Sequence, residues 1–158
     1  MSLDFTVVIA VRQRFGDRDE DDINQETEAP FVGAEKDFEF RCPNVDSRQP
    51  AILLFQCQGA NIQQNLEING QQIFGGIPSS VETVTIPDPA LLLFRAQWNG
   101  NIMLIHEGVL RENNVLRIQA RELGDGDIDN FIVDNLVVVF KTRPPVVGGI
   151  AEGEITAG

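Results

Sequence analysis

Short stretches in which apolar and polar residues alternate recur along the chain. Phe5, Val7, Ile9 and Val11 alternate with the other residues of the stretch 5–14, which predicts a strand with one buried face. Further short apolar or alternating stretches lie at residues 38–41, 51–57, 66–68, 71–73, 81–86, 91–97, 102–106, 115–121 and 131–141. No ten-residue stretch shows convincing helical periodicity, so the pattern predicts an all-β fold.

Turn signals between these stretches indicate how the strands are arranged. Asn69-Gly70 supplies the two positive-φ positions of a type I′ turn, so residues 66–68 and 71–73 are expected to pair as a hairpin. Glycine and proline are concentrated between the strands, and β-branched residues lie within them. This arrangement favours two packed antiparallel sheets over βαβ units.

One domain accounts for most of the chain. A length of 158 residues suits a single core, which we assign to residues 1–144. Residues 16–30 are rich in acidic side chains and are expected to form a solvated loop. Residues 145–158 are glycine-rich and are expected to form a flexible tail.

The charge of the chain narrows the range of partners. Twenty-four acidic residues against twelve basic ones give a net charge of −12, which repels phosphate backbones and anionic lipids. No apolar run reaches the roughly 18 residues of a membrane span. Residues 1–5 lack the features of a secretory signal, which favours a cytoplasmic or non-classically exported protein and leaves the compartment open.

The two cysteines, Cys42 and Cys57, are far apart and lack metal-ligand spacing. We predict two buried free thiols, with a single disulfide as the alternative.

Groups that could catalyse a reaction are scarce. His106 is the only histidine, and it lies at the end of a predicted strand without a recognisable nucleophile motif. Gly75-Gly76 could be compared with a phosphate cradle, but no helix follows, so a turn is favoured. Acidic residues are too abundant for any one pair to be singled out. The sequence therefore predicts a protein that is not an enzyme.

A polar cluster precedes the last predicted strand. Asp125, Asp127, Asp129 and Asn130 could direct alternate oxygen ligands at one Ca²⁺ ion with a structural role. The spacing lacks the glycine and the later glutamate of the twelve-residue calcium loop, so an ordinary acidic turn is the alternative.

The only tryptophan is followed by amide side chains. Trp98, Asn99 and Asn101 are predicted at a turn, where the ring and the amides could bind a sugar. The alternative is that Trp98 continues the inward-facing set of the preceding strand and caps the core.

Several segments in order resemble the galactose-binding-like jelly-roll superfamily, which includes many carbohydrate-binding modules and sugar-binding domains of glycoside hydrolases. They are residues 66–70 (LEING), 75–78 (GGIP), 98–101 (WNGN), 114–118 (NVLRI) and 128–135 (IDNFIVDN). The resemblance covers about half of the chain. It implies a jelly-roll β-sandwich and a carbohydrate ligand, although residues 16–30 have no counterpart in that pattern.

Two functions follow as hypotheses. The first is a non-catalytic module that binds carbohydrate through loops at one end of the sandwich. The second is a structural or docking subunit of a larger assembly, such as a fibre, a virion-like or an injection-type particle, or a homo-oligomer. It is motivated by the apolar density of residues 131–140 on both faces and by edge strands that need covering.

Overall fold

The structure, a computed structural model, describes residues 1–17, 29–85, 92–96, 98–124 and 126–145. The described part contains eleven strands: β1 (Leu3–Ile9), β2 (Gln13–Phe15), β3 (Glu35–Arg41), β4 (Ala51–Gln58), β5 (Asn65–Ile68), β6 (Gln71–Gln72), β7 (Val81–Thr85), β8 (Leu92–Ala96), β9 (Trp98–Ile105), β10 (Asn113–Gln119) and β11 (Phe131–Lys141). The predicted all-β class is confirmed. Most of the predicted acidic loop and nearly all of the predicted tail lie outside the described residues.

Two antiparallel sheets form a β-sandwich. The first has the order β1-β11-β4-β9, with β2 paired to the first part of β11. The second has the order β3-β10-β5-β6, and β7 and β8 form a separate hairpin. In β4 and β10 every second side chain is buried, as the alternating sequences predict. Among the described residues no helix is long and apolar enough to cross a membrane.

The largest differences from the predicted strands are at two places. The alternation across residues 5–14 predicts one strand, but pairing ends at Ile9 and resumes at Gln13, after a register shift between Val7 and Ile9. At the other edge of the sheet, β9 begins at Trp98, where a turn was predicted. The pairing of Trp98 with Gln58 extends β9 across the whole of β4. Asn99, Gly100 and Asn101 predict a turn, but each of them pairs with a residue of β4.

The predicted hairpin is confirmed. Asn69 and Gly70 have φ values of 53° and 78°, and Glu67 and Ile68 pair with Gln72 and Gln71. Positive φ at both central positions is the backbone of a type I′ turn.

The core lies between the inner faces of the two sheets. Leu53, Phe55 and Val138 of the first sheet belong to the same buried cluster as Leu116 and Ile118 of the second. At one end the rings of Phe15 and Phe131 are stacked, with centroids 5.2 Å apart. This stack anchors the start of β11 against β2.

The outer face of the first sheet is apolar as well. One cross-strand row consists of Phe5, Val139, Ile52 and Leu104, and the next consists of Val7, Val137, Leu54 and Ile102. We call these two rows, with Leu3 beside them, the outer apolar face. Ile102 is 76% exposed and Phe5 is 64% exposed. The central members Leu54, Val137 and Val139 are half-buried, and large contiguous apolar surfaces of this kind are uncommon on soluble monomers.

Cys42 and Cys57 are buried free thiols, which confirms the prediction for them. Burial raises the pKa of each thiol to about 12. Since only the thiolate reacts readily, both cysteines should be inert in the folded chain.

We expect the two thiols to resist Ellman's reagent at pH 8 and to react fully once the chain is unfolded in urea. Unfolded cysteine has a pKa of about 8.5, below the folded value, so the unfolded state loses thiol protons first. The free energy of unfolding should therefore be unaffected by the thiols below about pH 8.5 and should fall as the pH rises towards 12. Rapid labelling of the folded chain would contradict the burial.

Candidate functional site

A cleft lies beside the β5–β6 hairpin, at an edge of the second sheet. Its volume is about 350 Å³, and it is lined by Gln63, Gln64, Asn65, Leu66, Gln72, Ile73, Phe74, Gly75 and Gly76. Phe74 is 90% exposed, the highest value among the exposed large hydrophobic residues of the described part of the chain. Gln63 and Gln72 are also exposed, and Asn65 is half-buried. An exposed aromatic ring thus lines the same cleft as amide side chains that both donate and accept hydrogen bonds.

Two glycines shape the turn that carries Phe74. Gly75 and Gly76 have φ values of 87° and 51°, a region that favours glycine. A Cβ on Gly76 would lie 2.1 Å from the carbonyl oxygen of Gln64, whereas a Cβ on Gly75 would meet only Met103 Cε, at 4.0 Å. Gly76 therefore lets the turn pack directly on the backbone of Gln64. There, Gln64 and Ile77 exchange two backbone hydrogen bonds of 2.8 and 3.0 Å.

A buried carboxylate is hydrogen-bonded to Gln64 of the cleft lining. Asp129 is fully buried, and its Oδ2 accepts hydrogen bonds from the backbone N–H of Asn61 at 2.8 Å and of Ile62 at 3.1 Å. Gln64 Nε2 donates to the same Oδ2 at 2.6 Å, and Asn61 Nδ2 donates to Oδ1 at 2.7 Å. Gln64 Oε1 in turn accepts from the backbone N–H of Arg121 at 2.7 Å. We call Asp129, Gln64 and their bonded neighbours the Asp129 network.

The Asp129 network ties the loop before β5 to the segment before β11. These two segments are distant in sequence, and side-chain hydrogen bonds hold the loop backbone where no strand pairing does. Gln64 belongs both to the network and to the lining of the cleft. The position of the cleft residues therefore depends on a carboxylate that does not line the cleft.

The residues predicted to bind sugar are not arranged as one turn. Trp98 lies in β9 with its side chain on the outer side of the sheet, 39% exposed, and the Cζ of Arg12 is 5.1 Å from the ring centroid. Because side chains alternate along a strand, Asn99 and Asn101 point to the opposite side, and both are half-buried. The turn assigned to these residues was wrong, as was the alternative of Trp98 as a buried core cap. Their role in carbohydrate binding stays a prediction.

Asn101 shares one side of β9 with a residue that approaches the Phe74 turn. It is two residues from Met103 on the same side of the strand, and Met103 Cε lies beside Gly75. The structure thus separates Trp98 from the amides and brings the amide side of β9 towards the Phe74 turn.

Three of the four residues predicted to bind calcium, Asp127, Asp129 and Asn130, line one cleft of about 190 Å³ together with Asp17. Asp129 nevertheless directs both carboxylate oxygens into the Asp129 network. Asn130 Nδ2 donates to the carbonyl oxygen of Ile128 at 3.3 Å. Asp125 lies outside the described residues. Within the described part of the chain no three acidic, histidine or cysteine side chains are placed to hold a metal ion, and calcium binding stays a prediction.

Phe74 was missed by the sequence analysis because the Gly75-Gly76 pair was evaluated only as a phosphate cradle. A usable signal was present, since a single aromatic residue follows two amide-rich segments, residues 63–65 and 71–72. Such a residue at a glycine turn has no strand partner to bury it.

No known protein family matches the chain, and no curated protein is similar to it in sequence. Solved structures that it resembles include BuGH86wt in complex with neoagarooctaose, with 12% identity and a TM-score of 0.39, covering 92% of this chain and 20% of that one. Another is dimeric latent PorU from Porphyromonas gingivalis, with 16% identity and a TM-score of 0.39, covering 93% of this chain and 15% of that one. The chain thus spans a fifth or less of these proteins, and similarity at this level carries no argument about function.

Proposed function

We propose that this domain is a non-catalytic module that binds carbohydrate in the cleft beside Phe74. The observation that supports the proposal is an aromatic ring, 90% exposed, within a cleft lined by the amides of Gln63, Asn65 and Gln72. This site replaces Trp98 as the centre of the carbohydrate hypothesis.

The chemistry of the cleft suits a sugar. The C–H face of a pyranose ring can pack on an aromatic ring, and burial of that exposed ring is favourable. Hydroxyl groups both donate and accept hydrogen bonds, and so do glutamine and asparagine amides. The lining contains no charged side chain, which favours a neutral oligosaccharide over an anionic one.

The finer fold assignment belongs to the same proposal. Residues 66–70, 114–118 and 128–135 resemble the galactose-binding-like pattern, and the sandwich has two antiparallel sheets, as a jelly roll has. The fold by itself does not select a ligand, because one sandwich supports sugar binding, protein docking and assembly. The proposal therefore rests on the Phe74 cleft.

We expect Phe74→Ala to weaken binding to a glycan ligand by about 10- to 100-fold, or about 1.4–2.8 kcal/mol, through loss of the stacking surface. An array of neutral oligosaccharides would identify the ligand, and titration calorimetry would measure its affinity. Phe5→Ala is the matched control, because Phe5 is also exposed but lies on the outer apolar face.

Three results would contradict the proposal. The first is no binding to any glycan, and the second is equal weakening by Phe5→Ala and Phe74→Ala. The third is binding that Trp98→Ala abolishes and Phe74→Ala leaves intact, which would place the sugar site on β9.

A further inference from the structure

The outer apolar face extends over all four main strands of the first sheet. Its two rows cross β1, β11, β4 and β9 without a charged residue. Its most exposed members lie on the two edge strands, with Ile102 at 76% and Leu3 at 69%. The inner face of the same sheet already packs on the second sheet, so the outer face lies outside the core.

Charge is confined to the borders of this face. Lys141 pairs with Leu3 at one end, and Arg12 forms an ion pair with Asp134 at the other, with a nitrogen–oxygen distance of 3.2 Å. The chain as a whole carries a net charge of −12, and none of its acidic residues belongs to the two rows. Depletion of charge at the centre is typical of protein interfaces and strongest in homodimers.

The size of the face matches what an interface requires. Its six most exposed side chains, together with Trp98, leave on the order of 800 Å² accessible, which is about the area that each partner contributes to a standard interface. Transfer of this area from water is the main favourable term available for association.

We propose that the outer apolar face binds the same face of a second copy of this chain, which gives a symmetric dimer. An uncharged apolar face is complementary to itself, and a two-fold axis through it pairs each row with apolar residues of the other copy. Two sheets packed in this way are about 10 Å apart, the spacing also found inside sandwiches. The acidic surfaces of the two copies remain outside the contact, where salt screens their repulsion.

The composition of the face favours a protein over a sugar as its occupant. Its members are mainly aliphatic, and Phe5 lies on the opposite edge strand from Trp98, so the two rings do not form one stacking platform. Aliphatic side chains lack the flat surface and the hydrogen-bonding groups that sugar recognition uses. This inference does not depend on the Phe74 cleft, which lies beside the second sheet.

Sedimentation equilibrium of the full chain tests the proposal. The wild type should be a dimer, and Ile102→Glu should weaken dimerisation by at least about 100-fold, because symmetry places two carboxylates in one apolar contact. Val115→Glu is the matched control, since Val115 is an exposed β-branched residue on the other sheet. It should leave the dimer unchanged, and circular dichroism would verify that both variants fold.

Thiol labelling provides a second measurement. Ile102→Cys introduces an accessible thiol into a chain whose own cysteines are buried, and maleimide should modify it more slowly as protein concentration rises. A strictly monomeric wild type would overturn the proposal, as would a dimer that Ile102→Glu does not weaken. A monomer in which the introduced thiol is protected at every concentration would also overturn it, and would show that the chain covers its own face.

Discussion

Asp129→Ala is expected to lower the free energy of unfolding by about 3 kcal/mol, a large part of the 5–15 kcal/mol that stabilises a typical domain. The substitution removes the acceptor for the backbone N–H groups of Asn61 and Ile62 and for the side chains of Asn61 and Gln64. These donors, in a partly buried loop, would then lack partners, and the removed carboxyl group would leave a small cavity. Urea unfolding followed by tryptophan fluorescence would measure the loss.

Asp129→Asn should cost less, about 1–2 kcal/mol, because the amide oxygen can occupy the Oδ2 position while its NH₂ group faces Asn61 Nδ2. Glu107→Ala, at an exposed acidic residue, serves as the control and should change stability by less than about 0.5 kcal/mol. The same experiment addresses calcium. If Ca²⁺ stabilises the wild type and Asp129→Ala abolishes that effect, Asp129 acts as a metal ligand and the network account is wrong.

The features predicted correctly from the sequence are those that depend on residues close together in the chain. The strand at residues 131–141 was predicted with the bounds that β11 has, and the Asn69-Gly70 turn was predicted because its backbone is set by two adjacent residues. The interruption between Ile9 and Gln13 was missed because the alternation continues through it. Local period alone does not reveal where pairing with the same partner strand is interrupted.

The candidate site was predicted less well because it depends on contacts between distant residues. Asp129 and Asn130 are adjacent acidic-turn residues in sequence, yet Asp129 is bonded to the loop before β5, more than sixty residues away. Trp98 was placed at a turn on the basis of its neighbours, whereas pairing with Gln58 places it in a strand. The apolar periodicity of a sequence does not show which strands will lie next to each other.

The outer apolar face was predictable from the sequence only in part, and the rest depends on the order of the strands. The density of apolar residues on both sides of residues 131–140 was visible in sequence and indicated two covered faces. Only the strand order shows that Val137 and Val139 lie between apolar residues of β1 and β4, with β9 beyond β4. The sequence thus predicted that both faces of β11 are covered, and the strand register shows which residues form the outer apolar face.

Gly76→Ala is expected to destabilise the fold by about 2–4 kcal/mol and to weaken glycan binding at the Phe74 cleft. The added Cβ would lie 2.1 Å from the carbonyl oxygen of Gln64, so the turn must move away from the backbone on which it packs. The positive φ adds a conformational cost of about 1 kcal/mol. Urea unfolding would measure the first effect and calorimetric titration the second.

Gly75→Ala is the control, because it imposes a similar positive-φ cost on the neighbouring residue while its Cβ meets only Met103, at 4.0 Å. It should cost about 1 kcal/mol. Movement of Gln64 would also strain the Asp129 network, so the losses from Gly76→Ala and Asp129→Ala should sum to more than the loss in the double variant. Strict additivity would mean that the turn and the buried carboxylate stabilise the cleft independently, and equal losses at Gly75 and Gly76 would show that the close approach to Gln64 is unimportant.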